Sequence, residues 1–323
     1  MDPKPPINFS QPISVLLKDT TKQVHEDVEN SPGARALIKG TLSRDGYIKY
    51  LFTLWHLYDA LESALDEHSL HPTLAPSYNP ALLRRRDALS SDISHLLSLS
   101  PSSSPEWKKH SLYTSSFLPS LPVPLAEYIT RLDDLRRSQD PTPLLAHSYV
   151  RYLGDLSGGQ CIRRVLKRTY ALDDLAMSFY DFQRLRGLTG PSGVGDLRKL
   201  KEWFKAAMDE GVGDDMAKKR MIVEEVQLAF RYNGLLLDTL VEASPRPDPI
   251  GPSLPRVLPP PTNSDFPGWV WSLNLPVWVL FVPIAMVALS LASFHEYGAR
   301  MHFPRRGHLV AAIVGSLTTV ESF

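Results

Sequence analysis

The sequence is poor in cysteine and has no excess of charge. A single cysteine, Cys161, stands among 323 residues, so no disulfide forms within the chain, and a reducing compartment suits it. Lysine and arginine number 35, as do aspartate and glutamate. This balance argues against a nucleic-acid-binding protein, which normally carries a basic excess. Apolar residues make up 43% of the chain, which excludes a wholly disordered protein.

Several catalytic and metal-binding motifs are also absent. The sequence has no HExxH, no GxxxxGK[ST] and no CxxC, which removes zinc proteases, phosphate loops and dithiol sites. A di-iron bundle needs two Glu-x-x-His pairs, and only an isolated Asp92-Ile-Ser-His95 is present. Spacing alone selects none of the ten histidines, and a lone histidine is more often a surface or core residue than a ligand.

Proline, by contrast, is abundant near the C-terminus. Nine of the 28 prolines lie in residues 243–268, a stretch without hydrophobic periodicity that is typical of an extended spacer. Residues 269–294 then contain no charge and are long enough, as a helix, to cross a bilayer of about 30 Å. The sequence therefore predicts a catalytic domain at 1–242, a linker at 243–268, a transmembrane helix at 269–294 and a tail at 295–323.

The flanks of this predicted anchor give mixed information on topology. The first ten residues, MDPKPPINFS, lack the apolar core of a signal peptide, so we expect the catalytic domain to face the cytosol. Basic residues follow the anchor at Arg300, Arg305 and Arg306, and the charge rule would place that tail in the cytosol as well. The side occupied by the tail therefore stays open.

The first 242 residues are predicted to be all-α. Ser10 is a candidate N-cap for a first helix that ends at the Ser-Pro-Gly of residues 31–33. A second helix follows Ser43, with apolar residues recurring at helical spacing, and residues 98–124 read as a long Ser/Pro-rich loop. Further helices are predicted at 125–137, 143–171, 195–210 and 214–242, and no alternating strand pattern is found.

One helical segment contains three glycines in its middle. Gly154, Gly158 and Gly159 lie within residues 146–170, and each costs about 1 kcal/mol relative to alanine in a helix interior. Gly154 and Gly158 share a face, where they open a shallow trough for a close partner. A tight helix crossing would explain the glycines alone. Asp155, at the edge of the trough, favours instead a large flat ligand with a small polar pocket above it.

These residues carry a resemblance to a known family. Residues 149–160, YVRYLGDLSGGQ, resemble the signature of the heme oxygenases nearly letter for letter. TTKQVHEDVEN around His25, SRDGYIKYLFTLWHLYDALE around Tyr58 and LAFRYNGLLLD around Asn233 resemble other segments of the family, in the same order. The resemblance extends from about residue 18 to 240 and implies a single multi-helix domain with heme sandwiched between two helices.

The resemblance implies specific roles around heme b. His25 corresponds to the proximal ligand of the heme iron, with Glu29 fixing its other ring nitrogen. Asp155 would hold ordered water at the distal side. The remaining implied residues are Tyr58, Tyr128, Arg151 and Asn233 in the distal network; Gly154, Gly158 and Gly159 against the macrocycle; Lys18, Lys22, Lys201 and Lys205 at the propionates; and Tyr149 and Phe230 as aromatic positions. Lys205 stands where the family usually has arginine, which replaces a bidentate clamp by a point charge.

The resemblance also implies an activity and partners. Heme oxygenases use dioxygen to open heme at a meso carbon and release biliverdin, carbon monoxide and ferrous iron. The sequence has no flavin or nicotinamide motif, so electrons are expected from NADPH through the membrane-bound cytochrome reductase. A basic cluster on the glycine-containing helix, the residues Arg163, Arg164, Lys167 and Arg168, could meet an acidic face of that reductase. A solvated helix end would account for the cluster equally. The implied location is the endoplasmic reticulum membrane.

Two alternatives stay open at this point. One is a heme-binding sensor or carrier that keeps the pocket without turnover, against which the intact Gly154, Asp155 and Gly158 argue. The other is a relative with the same helical fold that uses a non-heme metal or a thiamine-type substrate, for which the expected additional carboxylate and histidine ligands are absent from the sequence.

Overall fold

All regular structure is helical within residues 7–100, 105–185 and 193–242, the parts of the chain that the computed structural model describes. This confirms the predicted all-α class. The α-helices are, in chain order, α1 Ile13–Thr20, α2 Lys22–Glu29, α3 Pro32–Lys39, α4 Arg44–Glu67, α5 Pro80–Leu83, α6 Arg86–Leu96, α7 Val123–Arg137, α8 Leu144–Ser148, α9 Gly154–Thr169, α10 Val194–Val212 and α11 Met216–Glu242.

The N-terminal helix differs from its prediction in two ways. Pro12, not Ser10, is the N-cap of α1, because the Ser10 hydroxyl donates a hydrogen bond to Asn8 Oδ1 instead. The predicted single helix is divided at Thr21, whose hydroxyl donates to the carbonyl of Leu17 at 2.6 Å. A side chain that bonds the preceding turn competes with the helix backbone. The first helix therefore ends at Thr20 and a second, α2, begins at Lys22.

The long helix α4 forms the centre of the core. Its stripe residues Tyr47, Leu51, Tyr58 and Leu61 are fully buried, and it packs against α6, α7 and α8. Burial of each large apolar side chain contributes about 1.5–3 kcal/mol. Ser43 caps the helix, its hydroxyl accepting from the Gly46 amide. The prediction for this helix is confirmed.

The last helix, α11, packs against the N-terminal helices. It packs against α2, α3 and α8, and its contact with α3 depends on Gly33. A Cβ at Gly33 would lie 1.7 Å from the carbonyl oxygen of Leu237, so only glycine permits the two backbones to approach this closely. Helices α3, α5 and α6 were not among the predicted helices.

The predicted loop at 98–124 is helical in much of its described part. A 3-10 turn spans Glu106–Lys109 and a π-helical segment spans Leu112–Phe117, while α7 already begins at Val123. Trp107, Tyr113 and Phe117 are buried against Phe52 of α4. The high serine and proline content predicts a loop, but the aromatic side chains pack the segment onto the core.

The predicted linker at 243–268, transmembrane helix at 269–294 and tail at 295–323 lie outside the described residues. No helix in the described ranges combines the length and apolarity required to span a bilayer.

Candidate functional site

A wide helical turn brings two charged residues into the core. Residues Tyr149–Leu153 form a π-helical segment between α8 and α9, a type of irregularity that is frequent at functional sites. The segment places Arg151 and Asp155 inward, with exposures of only 6% and 8%. The predicted helix at 143–171 is thus helical from Leu144 to Thr169, with a π-helical turn just before the first glycine.

Asp155 is the centre of a buried polar cluster. The Tyr58 hydroxyl donates a hydrogen bond to Asp155 Oδ2, and Arg151 Nη2 lies 3.4 Å from Asp155 Oδ1. Arg151 Nη1 donates to Asn233 Oδ1 at 2.5 Å. The structure therefore brings together four of the five residues predicted for the distal network.

Burial and neighbouring charges shift the pKa values of Asp155 and Arg151. Burial raises the pKa of Asp155 above its usual value, while the Arg151 guanidinium and the Tyr58 hydroxyl oppose that rise. Burial lowers the pKa of Arg151, but the neighbouring Tyr58 and Asp155 outweigh burial and raise it overall, so the guanidinium stays cationic. A carboxyl group with a raised pKa exchanges protons closer to neutrality than an ordinary aspartate.

The glycines at the start of α9 face open space. A Cβ added at Gly154 or at Gly158 would meet no described heavy atom within 4 Å beyond the local helix. At Gly33, in contrast, a backbone carbonyl occupies that position. A tight helix crossing therefore does not account for Gly154 and Gly158. The open face beside Asp155 fits a flat ligand, whereas a Cβ added at Gly159 would lie 3.4 Å from the Tyr180 ring, so Gly159 faces a neighbouring side chain and not open space.

His25 lies on α2 with its ring half exposed. The imidazole packs edge-on against Phe230 of α11, with ring centroids 5.6 Å apart, and its Nδ1 is 3.5 Å from Glu29 Oε1. Burial lowers the pKa of His25, against the opposing charge of Glu26, which favours the neutral imidazole that a metal requires. Burial, and then Glu26, raise the pKa of Glu29 to about 7.

Helix α11 joins the histidine to the carboxylate cluster. Phe230 contacts His25 and Asn233 contacts Arg151, and residues three apart lie on one helix face. A second connection is a hydrogen bond between Tyr149 and Thr21, the residue before α2. Burial raises the pKa of Tyr149, and this hydrogen bond opposes the rise. The residues predicted for the proximal and distal sides of heme therefore line the same region of the molecule.

The four lysines predicted to bind the propionates lie in two pairs, one on α1 and α2 and the other on α10. Lys18 is at the end of α1 and Lys22 begins α2, while Lys201 and Lys205 lie one turn apart on α10, which packs against α1. Burial and the like charge of Lys205 lower the pKa of Lys201. An anionic group bound between these two ammonium groups would relieve their repulsion.

Tyr128 belongs to a neighbouring network that the sequence did not reveal. Its hydroxyl hydrogen-bonds with His147 Nδ1 at 3.1 Å, and His147 Nε2 lies 2.9 Å from Glu225 Oε1. Glu225 also accepts two hydrogen bonds from Arg131, at 2.9 and 2.5 Å. His147 sits two residues before the recognised motif, but no spacing pattern marks it as bonded to Glu225. The distal role predicted for Tyr128 stays a prediction.

Glu225 makes the stability of the fold depend on pH. Burial raises its pKa, but His147 and Arg131 outweigh burial and lower the pKa from 4.5 to about 2. The stabilisation, about 3 kcal/mol, is therefore complete above pH 4.5 and is lost as the pH falls towards 2. We expect Glu225→Gln to lower the free energy of unfolding by about this amount at pH 7 and by much less at pH 3. Urea unfolding at both pH values measures this, with the exposed Glu224→Gln as control; equal losses at the two pH values would contradict it.

Comparison with known proteins identifies relatives of this chain. Residues 11–239 match the family model described as heme oxygenase. Human heme oxygenase 1 is 30% identical over 244 residues, covering 75% of this chain and 76% of the human protein. Rat heme oxygenase 1 is 32% identical over 235 residues, covering 72% and 73%.

Solved structures give the same result. Heme oxygenase-2 from Synechocystis sp. PCC 6803, crystallised in complex with heme and NO, superposes with a TM-score of 0.61 at 29% identity, covering 72% of this chain and 86% of that chain. The match to the family model, residues 11–239, includes His25, the glycine face and Asp155. The chain belongs to the heme oxygenase family.

Proposed function

We propose that this protein is a heme oxygenase that opens heme at a meso carbon, using dioxygen and electrons from a reductase. The observation that carries the proposal is the open glycine face of α9 beside the buried Asp155 cluster. Such a face accommodates a flat macrocycle, and the family membership of the chain supports heme as that macrocycle. The products are biliverdin, carbon monoxide and ferrous iron.

The described residues include groups that would hold heme. His25 would supply a neutral imidazole for the iron, and Gly154 and Gly158 leave open space for the ring. Lys18, Lys22, Lys201 and Lys205 would supply cationic partners for the propionates, with Lys205 acting as a single charge where the family usually has arginine. Bound heme supplies the iron that activates dioxygen and the ring that is cleaved.

The remaining chemistry belongs to the polar cluster. Arg151 and Tyr58 hold the Asp155 carboxylate by its two oxygens, and each oxygen retains a lone pair for water. Asn233 fixes the other end of the Arg151 guanidinium. The cluster can therefore order water and exchange protons at Asp155 with little reorganisation.

We further propose NADPH–cytochrome reductase as electron donor. The basic cluster on α9 is partly neutralised within the chain, since Arg163 lies 2.8 Å from Asp181 and Lys167 lies 2.6 Å from Asp174. Arg164 and Arg168 are exposed and are the better candidates for contact with an acidic partner. The uncharged residues 269–294 support a C-terminal anchor in the endoplasmic reticulum membrane, with the domain facing the cytosol.

The function is tested with the full chain, hemin, reductase and NADPH in detergent. We expect a histidine-ligated heme spectrum, followed by biliverdin absorbance and carbon monoxide release. His25→Ala should retain part of the heme affinity through burial and the lysines but lose turnover, because the axial ligand tunes the iron. Added imidazole should restore both spectrum and turnover in part.

Two results would contradict these expectations. Wild-type protein that binds heme stoichiometrically and yields no biliverdin would be a heme carrier. An unchanged spectrum and turnover in His25→Ala would exclude His25 as the ligand.

A further inference from the structure

A small cavity lies on the side of the Asp155 cluster reached through Tyr152. Glu62, Ser148 and Tyr152 line it, and Asp66, Tyr78 and Arg84 also border it. The region in which a water centre fits is about 20 Å³, above the roughly 10–15 Å³ that one water needs. Polar side chains contribute to the lining, which a bound water also requires.

Glu62 has one carboxylate oxygen that the described protein atoms leave unsatisfied. Its Oε1 accepts from the amides of Arg85 and Arg86, at 2.5 and 3.3 Å, whereas Oε2 is buried and has no hydrogen-bond partner there. Arg84 Nε, 3.8 Å from Oε2, is buried and equally unpaired by hydrogen bonds. Buried polar atoms of this kind are normally satisfied by an ordered water.

Asp66 lies on the solvent-exposed side of the cavity lining. The Asp66 carboxylate is 42% exposed and accepts hydrogen bonds from the Tyr78 hydroxyl at 2.7 Å and from Arg84 Nη2 at 2.6 Å. These three hydrogen-bonded side chains form a polar edge of the cavity, at which Asp66 is open to solvent.

On its inner side the cavity meets the distal cluster through two tyrosines. Tyr152 is buried, and its ring centroid lies 6.0 Å from that of Tyr58. Tyr58 in turn donates to Asp155. Burial, and then the Glu62 charge, raise the pKa of Tyr152, Arg85 opposes them, and Asp155 adds to the rise. Glu62 and Asp155 thus act on the same tyrosine from opposite ends.

The charged and titratable groups around Glu62 lie on several elements: Asp66 on α4, Tyr78 before α5, Arg84 and Arg85 between α5 and α6, and Tyr152 before α9. The cations among them are Arg84 and Arg85. The Arg85 guanidinium is itself fixed by the carbonyls of Phe179 and Asp181. Burial raises the pKa of Glu62 to about 7, against the main-chain hydrogen bonds and the two arginines.

We propose that Glu62 and its cavity form a proton entry to the Asp155 cluster, separate from the open glycine face; this inference rests on the proposed function. Reductive cleavage of dioxygen consumes protons, because oxygen that is not incorporated leaves as water. The Glu62 carboxyl releases its proton to water in the cavity. The proton passes by the Tyr152 and Tyr58 hydroxyls to Asp155, and Glu62 regains a proton from solvent at Asp66.

Glu62→Gln is the decisive variant, because its amide oxygen still accepts from the Arg85 and Arg86 amides but cannot release a proton. We expect about a tenfold or larger fall in biliverdin formation with excess reductase, a changed pH profile and unchanged heme affinity. Glu67→Gln, an exposed glutamate on the same helix, should behave as wild type. Tyr152→Phe, which removes the hydroxyl on the inner side, should reproduce the loss and decides the matter if Glu62→Gln does not fold.

A readout independent of turnover uses the heme-free protein. The difference between the infrared spectra of wild type and Glu62→Gln should contain one carboxyl band that titrates near pH 7, while the contribution of Glu29, whose pKa is also about 7, is the same in both proteins and cancels. An active wild type with unchanged turnover and pH profile in both variants would overturn the proton entry alone. A wild type that forms no biliverdin would overturn the proposed function and, with it, this inference, even where the carboxyl band is present.

Discussion

Asp155→Ala is expected to bind heme with near wild-type affinity and to lose biliverdin formation by on the order of 100-fold. The proposed contacts to heme come from His25, the lysines and the glycine face, which the substitution leaves in place. The carboxylate that receives Tyr58 and Arg151 is removed, so water above the ring is no longer ordered. Peroxidase-like oxidation of an added phenol should increase, because oxidising equivalents that no longer reach the ring are available to other substrates.

Asp155→Asn provides the matched comparison. Its amide oxygen can still accept from Tyr58 or Arg151 and hold water by hydrogen bonding, so the loss should be smaller than with alanine. Alanine also leaves the buried Arg151 charge without its anion, which we expect to cost about 3 kcal/mol of stability. Hemin titration and thermal unfolding separate this loss from the loss of turnover. Biliverdin yields at the wild-type level in Asp155→Ala would remove Asp155 from the distal role.

Gly158→Leu is expected to stabilise the heme-free protein while weakening heme binding. The new side chain enters open space, and replacing glycine in a helix interior is worth up to about 1 kcal/mol. Heme would then meet an overfilled site, at about 1–3 kcal/mol, which corresponds to roughly 5- to 150-fold in Kd. Thermal unfolding without heme and hemin titration measure the two opposite effects.

Gly33→Ala is the contrasting control for this glycine argument. Its methyl group would collide with the Leu237 carbonyl, so the variant should be strongly destabilised with or without heme. If Gly158→Leu instead lost stability and kept its heme affinity, the face would be a packing surface and not a binding surface.

The sequence predicts what depends on local spacing. The four-residue interval between Gly154 and Gly158, the position of Asp155 between them and the apolar stripe of α4 all follow from helical periodicity, and the structure has them on helices as expected. The family resemblance supplied the partners of Asp155, because Tyr58 and Asn233 are far from it in sequence and no spacing rule links them.

Features that depend on tertiary contacts were not predictable in this way. The Ser/Pro-rich composition of residues 98–124 hid the aromatic contacts that make Trp107 part of the core. The bond between Tyr128 and His147 joins two helices and has no local signal. The wide turn at Tyr149–Leu153 changes the direction of side chains within one segment, so ideal helical geometry misplaces them.

The dependence of α3 on α11 also determines when the binding site can exist during synthesis. Gly33 and Leu237 are about two hundred residues apart, and His25 packs on Phe230 of the same late helix. A ribosome releases roughly 5–20 residues per second, so the N-terminal helices wait on the order of ten seconds or more for their partner. Until α11 emerges, His25 lacks its packing contact with Phe230. The N-terminal helices of a nascent chain therefore cannot form the proposed heme pocket by themselves. The pocket is completed only after nearly all of the domain has been made.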